Sequence, residues 1–521
     1  METGAPFENR KSKMSKPYYI TTAIDYTNAA PHIGHAYEKV LADVLARYHR
    51  QSGREVLFLT GVDQHGQKVQ QAAQKAGIEP QAFADEVTAH FLSLWKLLGI
   101  SYDRWAATTD ASHKRVVQKI LQSLHDQGSL YKAAHRGFYS VRQEQFLTDK
   151  ERDESGNFGP EWGEVIEISE ENWYFRLSDH REWLAEFLRQ RADFVQPNFR
   201  QAELVNAVAK NSGDLCISRP KSRLSWGIEF PFDPDFVTYV WFDALINYIS
   251  FAGYLSADAA FEKFWPADAH VIGKDILVPA HGVYWPCMLH GMGFADEQIP
   301  TLLVHGWWNL SGGKISKSLG NVVDPRALVE RYGVTAVRYY LVRDIATGRD
   351  ADFSEERLVM LYNTELANGL GNLLNRALNM AQRYQGGKLQ PLSEATSLDP
   401  VWKSAAAKYV EAMNANQVQA ALEAVIEVVS AANAYAESSA PWKLAKDPAH
   451  AAQLSTVLTV LAESAQLAAS MLLPVIPEAA AAIFEQTRLP AHPLGSRPFA
   501  PLIGNPHEVG APVPVFPRIE K

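Results

Sequence analysis

Cysteine is almost missing: Cys216 and Cys287 are the only two in 521 residues. That count excludes a disulfide scaffold and any CxxC zinc site, and it suits a reducing compartment such as the cytoplasm. An excess of positive charge is missing too. Fifty Lys and Arg stand against 59 Asp and Glu, a formal net charge of −9. No general basic surface follows, so any nucleic-acid contact has to be local. No unbroken apolar run reaches the roughly 18 residues of a membrane span, and the N-terminus lacks the apolar core of a signal peptide. Internal repeats and low-complexity segments are absent as well. What remains is an ordinary globular composition, 47% hydrophobic and 21% charged, at a length that predicts about two to four domains.

The richest stretch runs from Thr22 to His35. A short run of β-formers, Tyr18-Tyr19-Ile20-Thr21-Thr22, precedes it, and a helical pattern with Val40, Val44 and Tyr48 on one face follows. Between them Pro31-His32-Ile33-Gly34-His35 turns strand into helix, placing backbone N–H groups and two imidazoles where a phosphate can sit. Glu55-Val56-Leu57-Phe58-Leu59 reads as a second buried strand, ending in Thr60-Gly61-Val62-Asp63-Gln64-His65-Gly66. Strand–helix–strand is the start of a doubly wound parallel sheet, whose ligands bind at the carboxyl ends of strands. Asp63 then has two readings of equal weight, a ligand-facing carboxylate or the cap of the next helix.

Helices dominate the pattern from 68 to 128. From 129 to 225 short β-like pieces alternate with polar turns such as Asp153-Glu154-Ser155-Gly156-Asn157, the look of an inserted module. Arg219 lies there in Ile217-Ser218-Arg219, where a lone arginine is ordinarily a solvated charge. Trp241, Ala244 and Tyr248 share a helical face, although an aromatic stripe is more often core than pocket. Ala269-His270-Val271-Ile272-Gly273-Lys274-Asp275 reads as a strand closing on a corner: glycine admits a ligand close to the backbone, and aspartate can hold ribose hydroxyls. A further strand, 301–306, leads into Ser311-Gly312-Gly313-Lys314-Ile315-Ser316-Lys317-Ser318, a flexible basic loop suited to phosphate oxygens. It does not match the Walker A pattern, and alone it would be read as a solvated hairpin tip.

Beyond 355 the strand signals vanish. Helices are expected over 365–376, 422–436 and 454–473, forming a bundle. The tail from Pro490 holds eight prolines and cannot be helical, but its apolar end should pack back on the body. The expected organisation is a disordered leader (1–16), an α/β domain in two halves (17–128 and 226–354) split by a connective insert (129–225), a helical domain (355–489) and a packed tail (490–521).

His32-Ile33-Gly34-His35 resembles the HIGH motif of class I aminoacyl-tRNA synthetases, and Lys314-Ile315-Ser316-Lys317-Ser318 resembles their KMSKS motif, with isoleucine for methionine. The resemblance extends to the methionyl-tRNA synthetases from about Pro17 onward. It is carried by Ala23-Ile24-Asp25-Tyr26, Gly61-Val62-Asp63-Gln64-His65-Gly66, Val240-Trp241-Phe242-Asp243-Ala244, Ile272-Gly273-Lys274-Asp275-Ile276 and Ala440-Pro441-Trp442. The insert is too short for the editing module of the isoleucine, valine or leucine enzymes. The zinc-binding cysteines of a cysteine enzyme are missing, and the Trp241/Tyr248 pair suits a thioether, because sulfur packs well on aromatic rings.

The resemblance implies a Rossmann-like doubly wound parallel-sheet catalytic domain with an inserted module, followed by an α-helical anticodon-binding bundle. It implies ATP-dependent ligation of methionine to tRNA through a methionyl-adenylate. ATP with Mg²⁺ would be used and, given the missing cysteines, no structural zinc. By the same resemblance His32, His35, Lys314 and Lys317 handle the ATP phosphates, and Gly273 and Asp275 hold the ribose. Arg219 stands near the reacting carboxylate. Asp63 receives the methionine ammonium, while Ile24, Tyr26, Trp241, Ala244, Tyr248, Ile276 and His281 form the side-chain pocket. Asn372 and Arg376, one turn apart, read the anticodon, with Trp442 stacking on an unpaired base; without the family Trp442 reads as a helix-end core residue. The partners are methionine acceptor tRNAs, initiator and elongator.

Departures from the family pattern are Asp25 and Leu245, where some relatives have proline, and an extra residue between Asp275 and His281. The C-terminal extension through which some relatives dimerise is lacking, so a monomer in the cytoplasm, away from membranes, is expected. Other readings are a different class I synthetase, a small-molecule nucleotidyltransferase, or a non-catalytic RNA-binding paralogue.

Overall fold

The structure, a computed structural model, describes residues 16–140, 145–147, 151–153, 155–208, 213–310, 313–314, 322–495 and 499–520. All but the last residue of the expected leader lies outside them. The first half of the α/β domain runs β1 (Tyr18–Thr22), β2 (Asp25–Tyr26), α1 (Ile33–Gln51), β3 (Val56–Asp63), α2 (Gln67–Ala76), α3 (Pro80–Leu97), β4 (Arg104–Ala107) and α4 (Ala111–Asp126). Every residue of β1 is buried, and so is all of β3 after its first position. Unbroken apolar strands of this kind belong to a parallel sheet covered on both faces. β4 interrupts the stretch expected to be helical. Its Arg104-Trp105-Ala106-Ala107 is too short and too mixed to show a period of two, and only its pairing with β3 makes it a strand.

The chain continues through β5 (Leu130–Ser140), β6 (Gln145–Leu147), β7 (Val165–Phe175), α5 (Arg181–Gln190), β8 (Val195–Gln196), α6 (Asn198–Val208), β9 (Leu215–Cys216), β10 (Ser218–Pro220) and β11 (Phe236–Thr238). It then returns through α7 (Val240–Ser250), α8 (Ala260–Phe264), β12 (Ala269–Gly273), α9 (Trp285–Gly291), β13 (Leu302–His305), β14 (Trp308–Leu310) and β15 (Gly313–Lys314). β6, β5, β7 and β9 form an antiparallel sheet of their own. β8 behaves differently, pairing in parallel with β13 at the edge of the central sheet.

In that sheet β3, β1, β12, β13 and β8 lie side by side in that order, all parallel, with β4 and the short β2 both paired to β3. The chain leaves β1 toward β3 and leaves β12 toward β13. Strand order reverses between β1 and β12, which opens a crevice at their carboxyl ends.

The helical part comprises α10 (Pro325–Tyr332), α11 (Val334–Arg343), a short β16 (Ala351–Asp352), α12 (Glu355–Leu361), a π-helical stretch Tyr362–Gly371, and α13 (Asn372–Gln385). Then follow β17 (Lys388–Leu389), α14 (Asp399–Asn414), α15 (Val418–Ser439), α16 (Pro441–Leu444), α17 (Ala451–Leu472), α18 (Pro477–Thr487) and β18 (His507–Glu508). The segment Pro448–Leu472 is long and apolar enough to cross a membrane by length and hydropathy alone. Its most apolar window is, however, 89% buried inside the protein, as expected of the central helix of a bundle. β18 pairs with β17, and Val509 and Phe516 are buried, so the proline-rich tail packs on the bundle.

One guanidinium joins catalytic domain and bundle. Arg338 on α11, fully buried, donates to Asp43 on α1 (2.6 Å), to the Leu98 carbonyl (2.9 Å) and to the Val475 carbonyl (2.7 Å).

Candidate active site

His32 caps α1 from an extended backbone (φ −134°, ψ 179°). Its Nδ1 accepts the Gly34 N–H at 3.1 Å, and its own N–H donates to Nδ1 of His35 at 3.1 Å. With both Nδ1 lone pairs engaged, the proton of each neutral ring sits on Nε2. Gly34 is required between them: a Cβ there would lie 2.9 Å from the His32 ring. The rings stand 4.0 Å apart, with His35 edge-on to Phe91. They line a cavity of about 260 Å³ together with Gly34, Glu38, Gly273, Asp275 and His305. The start of α1 adds the positive end of its dipole. Donors and dipole together make an anion site. Across the cavity, Gly273 ends β12 and Asp275 Oδ1 accepts the Trp307 indole N–H at 3.2 Å. A Cβ at Gly273 would press on that carboxylate at 2.7 Å.

A second cavity, about 740 Å³, shares Ala23, Ile24, Tyr26, Asp275 and Ile276 with the first. Asp63, Trp241, Ala244, Tyr248 and His281 also line it, so the expected pocket residues converge. His281 Nδ1 faces the Ile276 carbonyl at 2.9 Å, which leaves Nε2 to accept the Tyr248 hydroxyl at 2.7 Å. Burial pushes the His281 imidazole down to about 4 and the Tyr248 phenol up, so this polar pair is neutral. Aromatic walls with one neutral polar pair suit a thioether chain. The stretch before His281 is irregular, and Val278 leaves helical geometry there (φ −116°, ψ 128°).

Asp63 does not cap α2, because the cap position is Gly66 and no side chain bonds there. The carboxylate instead lines the larger cavity, with Oδ1 receiving the Thr108 hydroxyl (3.3 Å) and the His65 N–H (3.4 Å). The turn after β3 is braced from below. Asp243 binds His65 Nδ1 at 2.6 Å and His113 Nε2 at 2.8 Å. Burial would raise the Asp243 carboxyl, but the two imidazoles outweigh it and hold it at about 2.

Arg219 stands beside the larger cavity rather than in its wall. It lines neither cavity; its guanidinium sits 4.4 Å from the Tyr239 ring and donates to the Ser218 carbonyl at 2.7 Å. Tyr239, which it braces, is the residue that reaches the cavity. Glu161 and Trp162 of the insert also line the cavity, as do Lys68 and Asn247. Sequence reasoning did not find Glu161 and Trp162, since nothing local in Pro160-Glu161-Trp162 marks a loop that folds back on a distant sheet. The backbone of Lys314 pairs with Asn309 in β15, whereas Lys317 lies outside the described residues.

In the bundle, Asn372 and Arg376 line one groove of about 480 Å³ with Asn433 and Glu437. Arg376 pairs with Glu437 at 2.7 Å, and its guanidinium lies 5.3 Å from the Trp442 ring. The break that separates Trp442 from α15 is Ala440, held at φ +42°, followed by Pro441 at the first position of α16. Asn372, exposed, and Arg376 and Trp442, half-buried, thus form one cluster.

Comparisons with known proteins agree with this geometry. The family described as "tRNA synthetases class I (M)" matches residues 18–155 and 162–378, and the "Anticodon binding domain of methionyl tRNA ligase" matches 386–504. A methionine–tRNA ligase of Caldanaerobacter subterraneus is 42% identical over 479 residues, covering 91% of this chain and 74% of the relative. One from Thermotoga maritima is also 42% identical, covering 91% and 76%. Among solved structures, Mycobacterium tuberculosis methionyl-tRNA synthetase in complex with methionyl-adenylate superposes with a TM-score of 0.89 at 37% identity, covering 97% of this chain and 100% of that one. Family models over both parts of the chain, relatives 42% identical along 91% of it and a solved structure that superposes on 97% of it show that the chain belongs to the methionine–tRNA ligases of class I.

Proposed function

We propose that this enzyme joins methionine to tRNA in two steps at the paired cavities. A methionine carboxylate oxygen attacks the α-phosphorus of ATP, supplied as its magnesium complex; methionyl-adenylate forms and pyrophosphate leaves. A terminal adenosine hydroxyl of tRNA then attacks the activated carbonyl carbon, and AMP leaves. The observation that carries this reading is the shared wall of Ala23, Ile24, Tyr26, Asp275 and Ile276. An amino acid in the aromatic cavity and a nucleotide in the histidine-lined cavity would meet across it. Such transfer needs positioning and charge neutralisation rather than covalent help.

His32 and His35 donate Nε2–H to phosphate oxygens, and Lys314 and Lys317 neutralise charge that grows in the transition state. Gly273 and Asp275 hold the ribose. Asp63 takes the methionine ammonium, while Trp241, Ala244, Tyr248, His281, Ile24, Tyr26 and Ile276 enclose the side chain. Arg219 acts one layer out, by positioning Tyr239. Asn372, Arg376 and Trp442 read the anticodon of initiator and elongator methionine tRNAs. The same reading takes the enzyme as a monomer that works in the cytoplasm. Methionine-dependent ATP–pyrophosphate exchange followed by tRNA charging tests the reading. Exchange is expected with methionine and not with isoleucine, valine or cysteine. Its absence would overturn the assignment, and exchange without charging would point to an acceptor other than tRNA.

A further inference from the structure

Behind the histidine corner lies a buried ionic cluster to which the reaction above assigns no role. Lys39, on α1 one turn past His35, is fully buried. Its ammonium donates to Asp25 Oδ1 (2.7 Å), Glu38 Oε1 (2.7 Å) and the Ala23 carbonyl (3.0 Å), so its three donors are spent. Glu38 continues the chain of contacts: its Oε2 lies 3.1 Å from His305 Nε2, and His305 Nδ1 lies 2.7 Å from the Gly306 carbonyl. Ala23, Asp25, Glu38, His305 and Gly306 all line the smaller cavity, but Lys39 does not. They come from the β1–β2 connection, the first turns of α1 and the end of β13. These are three walls of one cavity; the first two meet at one ammonium, and Glu38 carries the contact on to the third.

The cluster is a poor device for stability alone. Asp25 is buried, and its Oδ2 has no hydrogen-bond partner among the described residues. Replacing buried ion clusters by apolar side chains of similar volume is often neutral or stabilising. What such a cluster does supply is fixed geometry, because each oxygen it binds has one place to be. We infer that Lys39 is a positioning residue of the nucleotide cavity: clamped by Asp25, it sets where the Glu38 carboxylate and the Ala23 backbone stand against bound ATP. This rests on the reading of the smaller cavity as the ATP site.

Lys39→Met in the full chain keeps most of the side-chain volume and removes the ammonium. ATP–pyrophosphate exchange with varied ATP at saturating methionine is the first readout. Methionine affinity without ATP, from intrinsic tryptophan fluorescence, is the second. The KM for ATP is expected to rise about tenfold, with a far smaller change in methionine affinity, since Asp25, Glu38 and His305 line the smaller cavity and not the larger one. Asp25→Asn keeps an acceptor for Lys39 and removes its charge; it should shift KM the same way by about threefold and provides the test if Lys39→Met does not fold. Unchanged ATP parameters in a folded Lys39→Met or Asp25→Asn would overturn the proposal. So would a parallel loss of ATP and methionine affinity, the sign of general loosening. If the unmodified enzyme shows no exchange, the functional reading fails first. ATP titration by calorimetry then decides the role of Lys39, with equal affinity in both proteins counting against it.

Discussion

At the histidine corner the polar groups are held by neighbours: His32 and His35 are half-buried, and Lys39 behind them is fully buried. Both His32 and His35 spend Nδ1 on the backbone, and Lys39 spends all three protons on neighbours. At the groove of the bundle the same kinds of residue stand half in water: Arg376 leans on Trp442 and holds a single carboxylate, Glu437. The proposed roles account for the contrast. Charge that appears fleetingly on a transferring phosphoryl group is best met by donors that need no reorganisation. Unpaired bases of a large partner have to be reached, so the groups that read them need exposure and some freedom, and stacking provides affinity tolerant of small misplacement.

Substitutions that separate the two places test this contrast. The largest effect is expected from His35→Asn. Asparagine Oδ1 can take over the Nδ1 acceptor and leave the cap in place, while the Nε2–H is lost. Adenylate formation should fall about 100- to 1,000-fold, with tRNA binding by gel shift unchanged. Equal losses in both would show that the corner is merely structural. Next comes Trp442→Ala, which removes one stacking platform. Charging at limiting tRNA should drop about 10- to 100-fold while pyrophosphate exchange stays normal; an intact charging rate would return Trp442 to the helix-end core.

Acid should also distinguish the two regions. In the catalytic domain burial lowers the imidazoles of His49 to about 3 and His281 to about 4, and lowers that of His270 well below the usual range. Unfolded, these rings take protons near pH 6.5. The unfolded state therefore binds more protons between roughly pH 6.5 and 4, and stability is lost as pH falls through that window. Asp25, raised by burial to about 7, opposes the trend, because its folded carboxyl takes a proton first and stabilises as pH falls. In the bundle His492, lowered by burial to about 4, is offset by Glu463, raised by burial to about 7. Four lowered imidazoles, with that of His290 the fourth, against one raised carboxyl face one against one. Hydrogen exchange between pH 7 and 4.5 should accordingly show α1 losing protection before α17, by a margin of about 1–2 kcal/mol. Protection lost first in α17 would contradict the count. The smallest effect belongs to Glu437→Gln, which frees Arg376 from a half-exposed pair worth at most about 1 kcal/mol. Filter binding should find tRNA held slightly more tightly, by about twofold.

Legibility in the sequence divides along similar lines. β1, α1 and β3 were readable because Tyr18–Thr22 and Val56–Asp63 are unbroken apolar strands flanking a helix of clear period. The residues of the amino-acid cavity were named through family resemblance, and all of them line it. Arg219 packs on Tyr239, which lines the larger cavity, and that placement was not legible, since motif position says which strand a residue occupies and not which ring stands before it. Glu161 and Trp162 had no signal, because they enter the site only when the insert folds back over the sheet. Lys39 had none either: within α1 it is one polar residue among several, and what marks it is the company of Asp25 and, through Glu38, of His305.

The sequence by itself determined the local shapes. Strand, corner and helix around His32 and His35, the strand ending at Gly273, and the helical period of the bundle are written in residue spacing, because backbone hydrogen bonds and side-chain periodicity act over a few residues. Tertiary structure alone decided which polar groups share a wall, that Asp63 faces a cavity rather than capping α2, and that Lys39 and Glu38 together join three segments. Those outcomes depend on burial, which acts between residues that are neighbours only once the sheet has closed.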